Sequence, residues 1–185
     1  SNFSGESMPA VIEGTAHDFL TDAFRAQTNA DVGAIRGFRY GTHVPPGPIR
    51  MEDLYHFIPI GPTIAKGKVK GRQLRNQIEA SADGSLNPDV AQWTGGWLFN
   101  FSGLTLTLDP FAASGRRASE IRVYDRKSGS FKPLDPEADY TYASYHYRAD
   151  PNLINVVEAR EIEVLQGADG RPLDGVEVVV RYLES

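Results

Sequence analysis

The sequence has no cysteine among its 185 residues. That excludes a disulfide framework, a thiolate zinc site and a cysteine nucleophile. It also has no run of eighteen apolar residues, the minimum for a membrane-crossing helix. The first residues carry neither a basic region nor an apolar one, so no signal peptide is read there. Basic residues are in the minority, 19 against 24 acidic, for a net charge of −5. A broad nucleic-acid-binding surface calls for the opposite balance, so nucleic acid and membrane are both set aside as partners. Several catalytic signatures are missing too: no Gly-rich phosphate loop, no nucleophile elbow, no HExxH. No Asp, His and Asn cluster supplies a two-metal site.

What is present is an ordinary globular composition, 41% hydrophobic and 23% charged, in a length suited to one domain with its own core. The chain begins Ser1-Asn2 rather than with methionine. Residues 1–14 are read as an expression scar and N-terminal extension, and 15–185 as the domain.

Thr15 to Thr28 has Ala16, Phe19, Leu20, Ala23 and Phe24 on one helical stripe, with Thr15 and Asp18 placed as a capping box. Asp31 to Ile35 reads as a short buried strand. Met51, Leu54, Tyr55 and Ile58 mark a second helix, closed by Pro59. Thr63 to Lys70 alternates and reads as an edge-like strand, and Gly71 to Ala82 as a third helix. Ala82 to Gly95 reads as a polar loop, with Gly95-Gly96 turning into a strand. Leu104 to Leu108 is the cleanest period-two segment. Ile121–Tyr124, Tyr140–Ser144 and Ile162–Leu165 are further strands, with a hairpin-like turn over Asp125–Ser130. Val176, Val179, Val180 and Leu183 fit a final helix. Strands and helices mix irregularly, which argues for an α+β (mixed α/β) fold.

Candidate chemistry concentrates after the first strand, in Arg36-Gly37-Phe38-Arg39-Tyr40-Gly41, followed by His43. A guanidinium is a planar donor fork suited to phosphate, sulfate or carboxylate, and loops beyond strand ends are common ligand sites. Tyr145 and His146, in a Tyr-His-Tyr-Arg run, are the other candidates. His17 and His56 are read as structural. The sequence thus offers an anion pocket without a catalytic engine.

Seven segments resemble, in order, the C-terminal domain of the 5′-nucleotidase superfamily. They are Asp18 to Phe24 with its Asp-Ala pair; Ala30-Asp31-Val32; Gly47-Pro48-Ile49 with Glu52-Asp53-Leu54; Pro59-Ile60-Gly61; Lys70-Gly71-Arg72-Gln73-Leu74; Ser102-Gly103-Leu104 running to Asp109-Pro110; and Leu134-Asp135-Pro136 running to Tyr140-Thr141. The resemblance as a whole covers roughly Thr15 to Leu183. Gly37-Phe38-Arg39-Tyr40-Gly41 is similar to the SoxB-type (thiosulfohydrolase) branch, where nucleotidases carry Asn-Gly-Gly-Gly-Ile-Arg.

The resemblance implies mixed sheets with flanking helices and a substrate-recognition role in a periplasmic two-metal hydrolase of phosphate esters, nucleotides or sulfur-oxyanion conjugates. Arg36, Gly37, Phe38, Arg39, Tyr40, Gly41, His43, Tyr145 and His146 would bind the small anionic substrate. The catalytic residues and two divalent metals would belong to an N-terminal metallophosphoesterase domain of the same polypeptide, and this chain would hold no cofactor. By the same resemblance, one base-stacking aromatic would fall near Ile64, which is aliphatic. Two rival readings stay open. One is a nucleotidase domain that stacks a base on Tyr145 or Tyr147. The other is a non-catalytic interaction module with Arg36 and Arg39 solvated and Trp93, Trp97 and Phe99 facing a partner.

Overall fold

The computed structural model describes residues 14–36, 47–94 and 98–185. Helix α1 spans Thr15–Thr28. Its N-cap is Gly14, which has no side chain to accept a hydrogen bond, so the capping box read at Thr15 and Asp18 does not form. It ends at Asn29 in the left-handed conformation, with the Asn29 amide on the Ala26 carbonyl. Asparagine tolerates that backbone better than other side-chain-bearing residues.

Strand β1 (Val32–Arg36) follows, then α2 (Met51–Phe57), β2 (Thr63–Lys70) and α3 (Gly71–Leu86). A 3-10 turn at Val90–Gln92 precedes β3 (Phe99–Ser102), β4 (Leu104–Leu108), β5 (Ala118–Asp125) and β6 (Ser130–Pro133). The remainder is β7 (Asp139–His146), β8 (Leu153–Ile154), β9 (Val157–Glu158), β10 (Arg160–Val164) and α4 (Gly175–Glu184).

The main sheet has the order β10-β2-β7-β1-β3; β4-β5-β6 form a smaller sheet and β8-β9 a two-stranded ribbon. This is the mixed α+β architecture the sequence suggests. Within the main sheet β1 and β7 run parallel and the other pairs antiparallel.

Side chains alternate across the main sheet and bury a core on each face. On one face Ile35 and Ile64 meet Leu20 and Phe24 of α1, Leu54 of α2, and Val176 and Val179 of α4. On the other, Val32, Ala34, Val69 and Tyr142 meet Leu74 and Ile78 of α3 and Leu104, Ile121 and Val123 of the small sheet. Burial pushes the Tyr142 phenol well above its ordinary value.

Two expectations are corrected. Strand β2 is not at an edge, because β10 pairs along its outer side. Its alternating lysines meet acids there and on β7: Lys66 with Glu163, Lys68 with Glu161, Lys70 with Asp139. The polar loop read from Ala82 is helical to Leu86. Leu86 is buried beside Ala82 and Leu98, a cluster that rewards the extra helical turn.

Candidate functional site

The site is built from the parallel pairing of β1 and β7. Val32 lies opposite Tyr142 and Gly33 opposite Ala143. Parallel strands end together, so Arg36 and His146, the last residues of the two strands, reach the same end of the sheet. Loops outside the carboxyl ends of neighbouring strands are where open α/β sheets bind ligands.

Arg36 is half-buried and lies opposite Phe99 across β1 and β3. Its guanidinium donates to Thr94 Oγ1 at 3.1 Å. That contact draws the segment after α3 to the strand end, and the Thr94 amide in turn donates to the Gly84 carbonyl. Sequence reasoning missed Thr94: it lies 58 residues from Arg36, and nothing local to either residue signals the pairing.

His146 is half-buried. Its Nδ1 sits 2.9 Å from the Leu153 carbonyl. A carbonyl only accepts, so Nδ1 carries the proton, and in the neutral ring Nε2 is left as the acceptor. Thr63 Oγ1 donates to the His146 carbonyl at 2.9 Å and fixes the strand end. Tyr145 points to the opposite face, its ring edge-on to Phe24 with centroids 5.6 Å apart. Tyr147, one residue beyond β7, is 42% exposed.

Of the nine sequence-predicted binding residues, the structure brings Arg36 and His146 to one end and turns Tyr145 toward α1. Gly37, Phe38, Arg39, Tyr40, Gly41 and His43 lie outside the described residues. Ile64 is fully buried in the core under α4, so a stacking group at that position would meet no ligand. Phe99 is 5% exposed and so is not presented to a partner; Trp93 is half-buried, its indole donating to the Asn87 carbonyl at 2.7 Å. Trp97 lies outside the described residues.

The motifs that carry the family resemblance are mostly structural ties between distant segments. Asp31 and Thr141 are joined by reciprocal hydrogen bonds of backbone and side chain. Ser102 Oγ donates to Asp22 of α1. The Gly71 and Arg72 amides donate to the Ala138 and Pro136 carbonyls; any side chain at position 71 would collide with the Asp135 carbonyl. Gly103, at φ +78, lets the Arg25 guanidinium and the Asp31 carbonyl lie directly against its α-carbon.

Among the described residues there is no group of three or more His, Asp or Glu side chains able to hold a metal ion. No described helix is long and apolar enough to cross a membrane.

The family model of the 5′-nucleotidase C-terminal domain matches residues 4–152. Among solved structures, a 5′-nucleotidase precursor from Thermus thermophilus superposes with a TM-score of 0.73 at 20% identity, covering 93% of this chain and 32% of that one. The sulfate thiohydrolase SoxB of Thermus thermophilus, solved with glycerol, gives 0.72 at 28% identity, over 94% of this chain and 29% of that one. The apyrase of Aedes albopictus is 29% identical over 136 residues, 72% of this chain and 23% of its own length. The endonuclease YhcR of Bacillus subtilis is 26% identical over 132 residues, 71% of this chain and 9% of its own length. The chain thus spans less than a quarter of the curated relatives it matches.

Proposed function

As the chain belongs to the 5′-nucleotidase C-terminal domain family, we propose that residues 15–185 are the substrate-recognition domain of a two-metal hydrolase. Its substrate is an anionic phosphate ester or sulfur-oxyanion conjugate, held at the shared end of β1 and β7. The observation that carries this reading is the parallel pairing that sets Arg36 and His146 at one end of the sheet. Arg39, which the family resemblance makes a candidate oxyanion contact, follows Arg36 by three residues in the sequence and lies outside the described residues. A guanidinium there would hold an oxyanion through a charge-assisted fork. His146 would add a neutral acceptor for a substrate hydroxyl, or a donor once protonated.

In this reading the two divalent metals and the catalytic groups sit in an N-terminal metallophosphoesterase domain of the same polypeptide, and the metals supply water activation. The present chain binds and orients. The greater length of the relatives supports such a companion domain. A periplasmic location is supported by one relative's description as a precursor.

The sulfur-oxyanion branch is favoured by the Gly37-Phe38-Arg39-Tyr40-Gly41 run; identity does not separate the two, at 28% to SoxB and 29% to the apyrase. The second reading, a nucleotidase domain in nucleotide catabolism, is favoured by the exposed ring of Tyr147 beside His146. Calorimetric titration with thiosulfate, sulfate, AMP and adenosine at low salt separates them. The sulfur branch predicts binding of the small oxyanions with no gain from adenosine. Tighter binding of AMP than sulfate, together with binding of adenosine, would replace it with the nucleotidase reading.

A further inference from the structure

An open concavity of about 510 Å³ lies between α1, α4 and the β5–β6 hairpin, lined by Asp22, Arg25, Ser102, Tyr124, Arg126 and Tyr182. Arg25 ties it to Asp31, just before β1 begins, whereas Arg36 closes that strand. The rise along a strand puts Asp31 and Arg36 about 16 Å apart. The concavity is therefore separate from the strand end that carries Arg36 and His146.

Two guanidiniums face it. Nε of Arg25 donates to the Asp31 carbonyl at 2.9 Å, and the Tyr124 ring lies against the same group, its centroid 5.5 Å from Cζ. Arg25 is half-buried, yet its two terminal nitrogens donate to nothing among the described residues. Arg126 is tethered to the neighbouring carbonyl, of Ala30, at 2.5 Å, and to Asn29 Oδ1. These tethers position both side chains and leave donors over, since a guanidinium carries five. Neither arginine forms a salt bridge among the described residues. Asp22, the one carboxylate in the lining, accepts from Ser102 Oγ. Burial, and then repulsion from Arg126, hold the Arg25 pKa below the ordinary arginine value, and the attraction of Asp22 and Asp31 offsets this only in part. An anion between the two cations would relieve the repulsion and give the bare Arg25 donors their acceptors.

We propose that Arg25 and Arg126 form a second oxyanion site, which takes a phosphate group, free or as a monoester, between their guanidiniums. Two donor forks on one concavity suit a dianion with several acceptor oxygens, whereas a planar carboxylate engages one fork.

Two-dimensional NMR of the chain, titrated with inorganic phosphate and with methyl phosphate at low salt and about pH 7.5, where both are largely dianionic, tests this. Saturable shifts are expected at Arg25, Ser102, Gly103, Tyr124 and Arg126, and chloride at matched ionic strength should give none that saturate. Arg126 is exposed, so Arg126→Ala should keep the fold and weaken phosphate binding roughly fivefold or more. Arg25→Gln should weaken it likewise; if that variant does not fold, Arg126→Ala decides. Arg36→Ala should lose the strand-end site and keep these shifts, so the two assignments fail independently. Tighter binding of methyl phosphate would mark an esterified ligand and tighter binding of phosphate the free ion, and either supports the site. Shifts that chloride reproduces, affinity unchanged in Arg126→Ala, or loss of these shifts in Arg36→Ala would overturn it.

Discussion

Asp31 and Thr141 hold each other across 110 residues of sequence. The Asp31 amide donates to Thr141 Oγ1 at 2.8 Å and to the Thr141 carbonyl at 3.0 Å. The Thr141 amide and hydroxyl each donate to Asp31 Oδ2 at 2.8 Å. This tie sits where β1 and β7 begin to pair, so it sets the register that brings Arg36 and His146 together at the other end. Asp31→Ala is expected to cost about 2–3 kcal/mol, because it leaves the half-buried amide and hydroxyl of Thr141 without their charged acceptor. Thr141→Val should cost about 1–2 kcal/mol. A double-mutant cycle by urea denaturation should show the two effects coupled by more than about 0.5 kcal/mol. Additive effects would mean that the pair does not act as a unit.

Glu79 plays a similar part on the other face. It is 7% exposed, and its two carboxylate oxygens accept from the Arg117 amide at 3.1 Å and the Ala118 amide at 2.8 Å. Asp83, one turn along α3, pairs with the Arg117 guanidinium. Glu79→Ala should therefore lower stability by about 2–4 kcal/mol, from two stranded amides and a lost charged acceptor. The loss should be measurable as a lower denaturation midpoint with an unchanged slope. A cost below about 0.5 kcal/mol would show that water replaces the carboxylate without penalty.

Gly103→Ala tests one of the tightest backbone approaches among the described residues. A β-carbon there would strike the Asp31 carbonyl and the Arg25 side chain, and φ is +78 besides. The expected loss exceeds about 2 kcal/mol, combining backbone strain with displacement of Arg25 from its 2.9 Å bond to the Asp31 carbonyl. Thermal unfolding reads it, and a melting temperature equal to wild type would contradict the packing described.

Stability should fall in two stages as pH decreases. Burial lowers the His17 pKa from 6.5. The unfolded chain then binds the proton more readily, so stability present above pH 6.5 declines as pH falls below it. His17→Gln should flatten that slope between pH 7.5 and 5.5 in urea titrations. The Arg171 hydrogen bond, followed by the Asp174 amide, holds Glu177 below its ordinary 4.5. Its contribution is full above that value and disappears as pH drops through the lower folded value. Glu177→Gln should remove part of the acid-side slope, and an unchanged slope would place the linkage elsewhere.

The sequence made visible those elements whose periodicity is local. The α1 stripe, the alternation of β4 and the terminal helix stand where the residues place them. The last of these forms despite Val178, Val179 and Val180, because Val176, Val178 and Val179 all reach the core. What stayed hidden depends on distant partners. Lys66, Lys68 and Lys70 resemble an edge until β10 and β7 bring acids to them. Asp83 and Gly84, read as part of a polar loop, stay helical because Leu86 is buried. Arg36 was legible as a donor fork after a strand. Its contact with Thr94 was not, since it arises only when the end of α3 folds back onto the sheet.

The central claim is that the end of the sheet carrying Arg36 recognises an oxyanion. Arg36→Ala and Arg39→Ala should each be titrated calorimetrically with thiosulfate, sulfate and AMP, alongside their thermal unfolding. Each variant should lose about 1.5–3 kcal/mol of binding to whichever anion the wild type holds. Its melting temperature should stay within about 2 °C of wild type, as befits a substitution away from the core. Unchanged affinity in both variants, with a lowered melting temperature, would make the arginines structural and contradict the account.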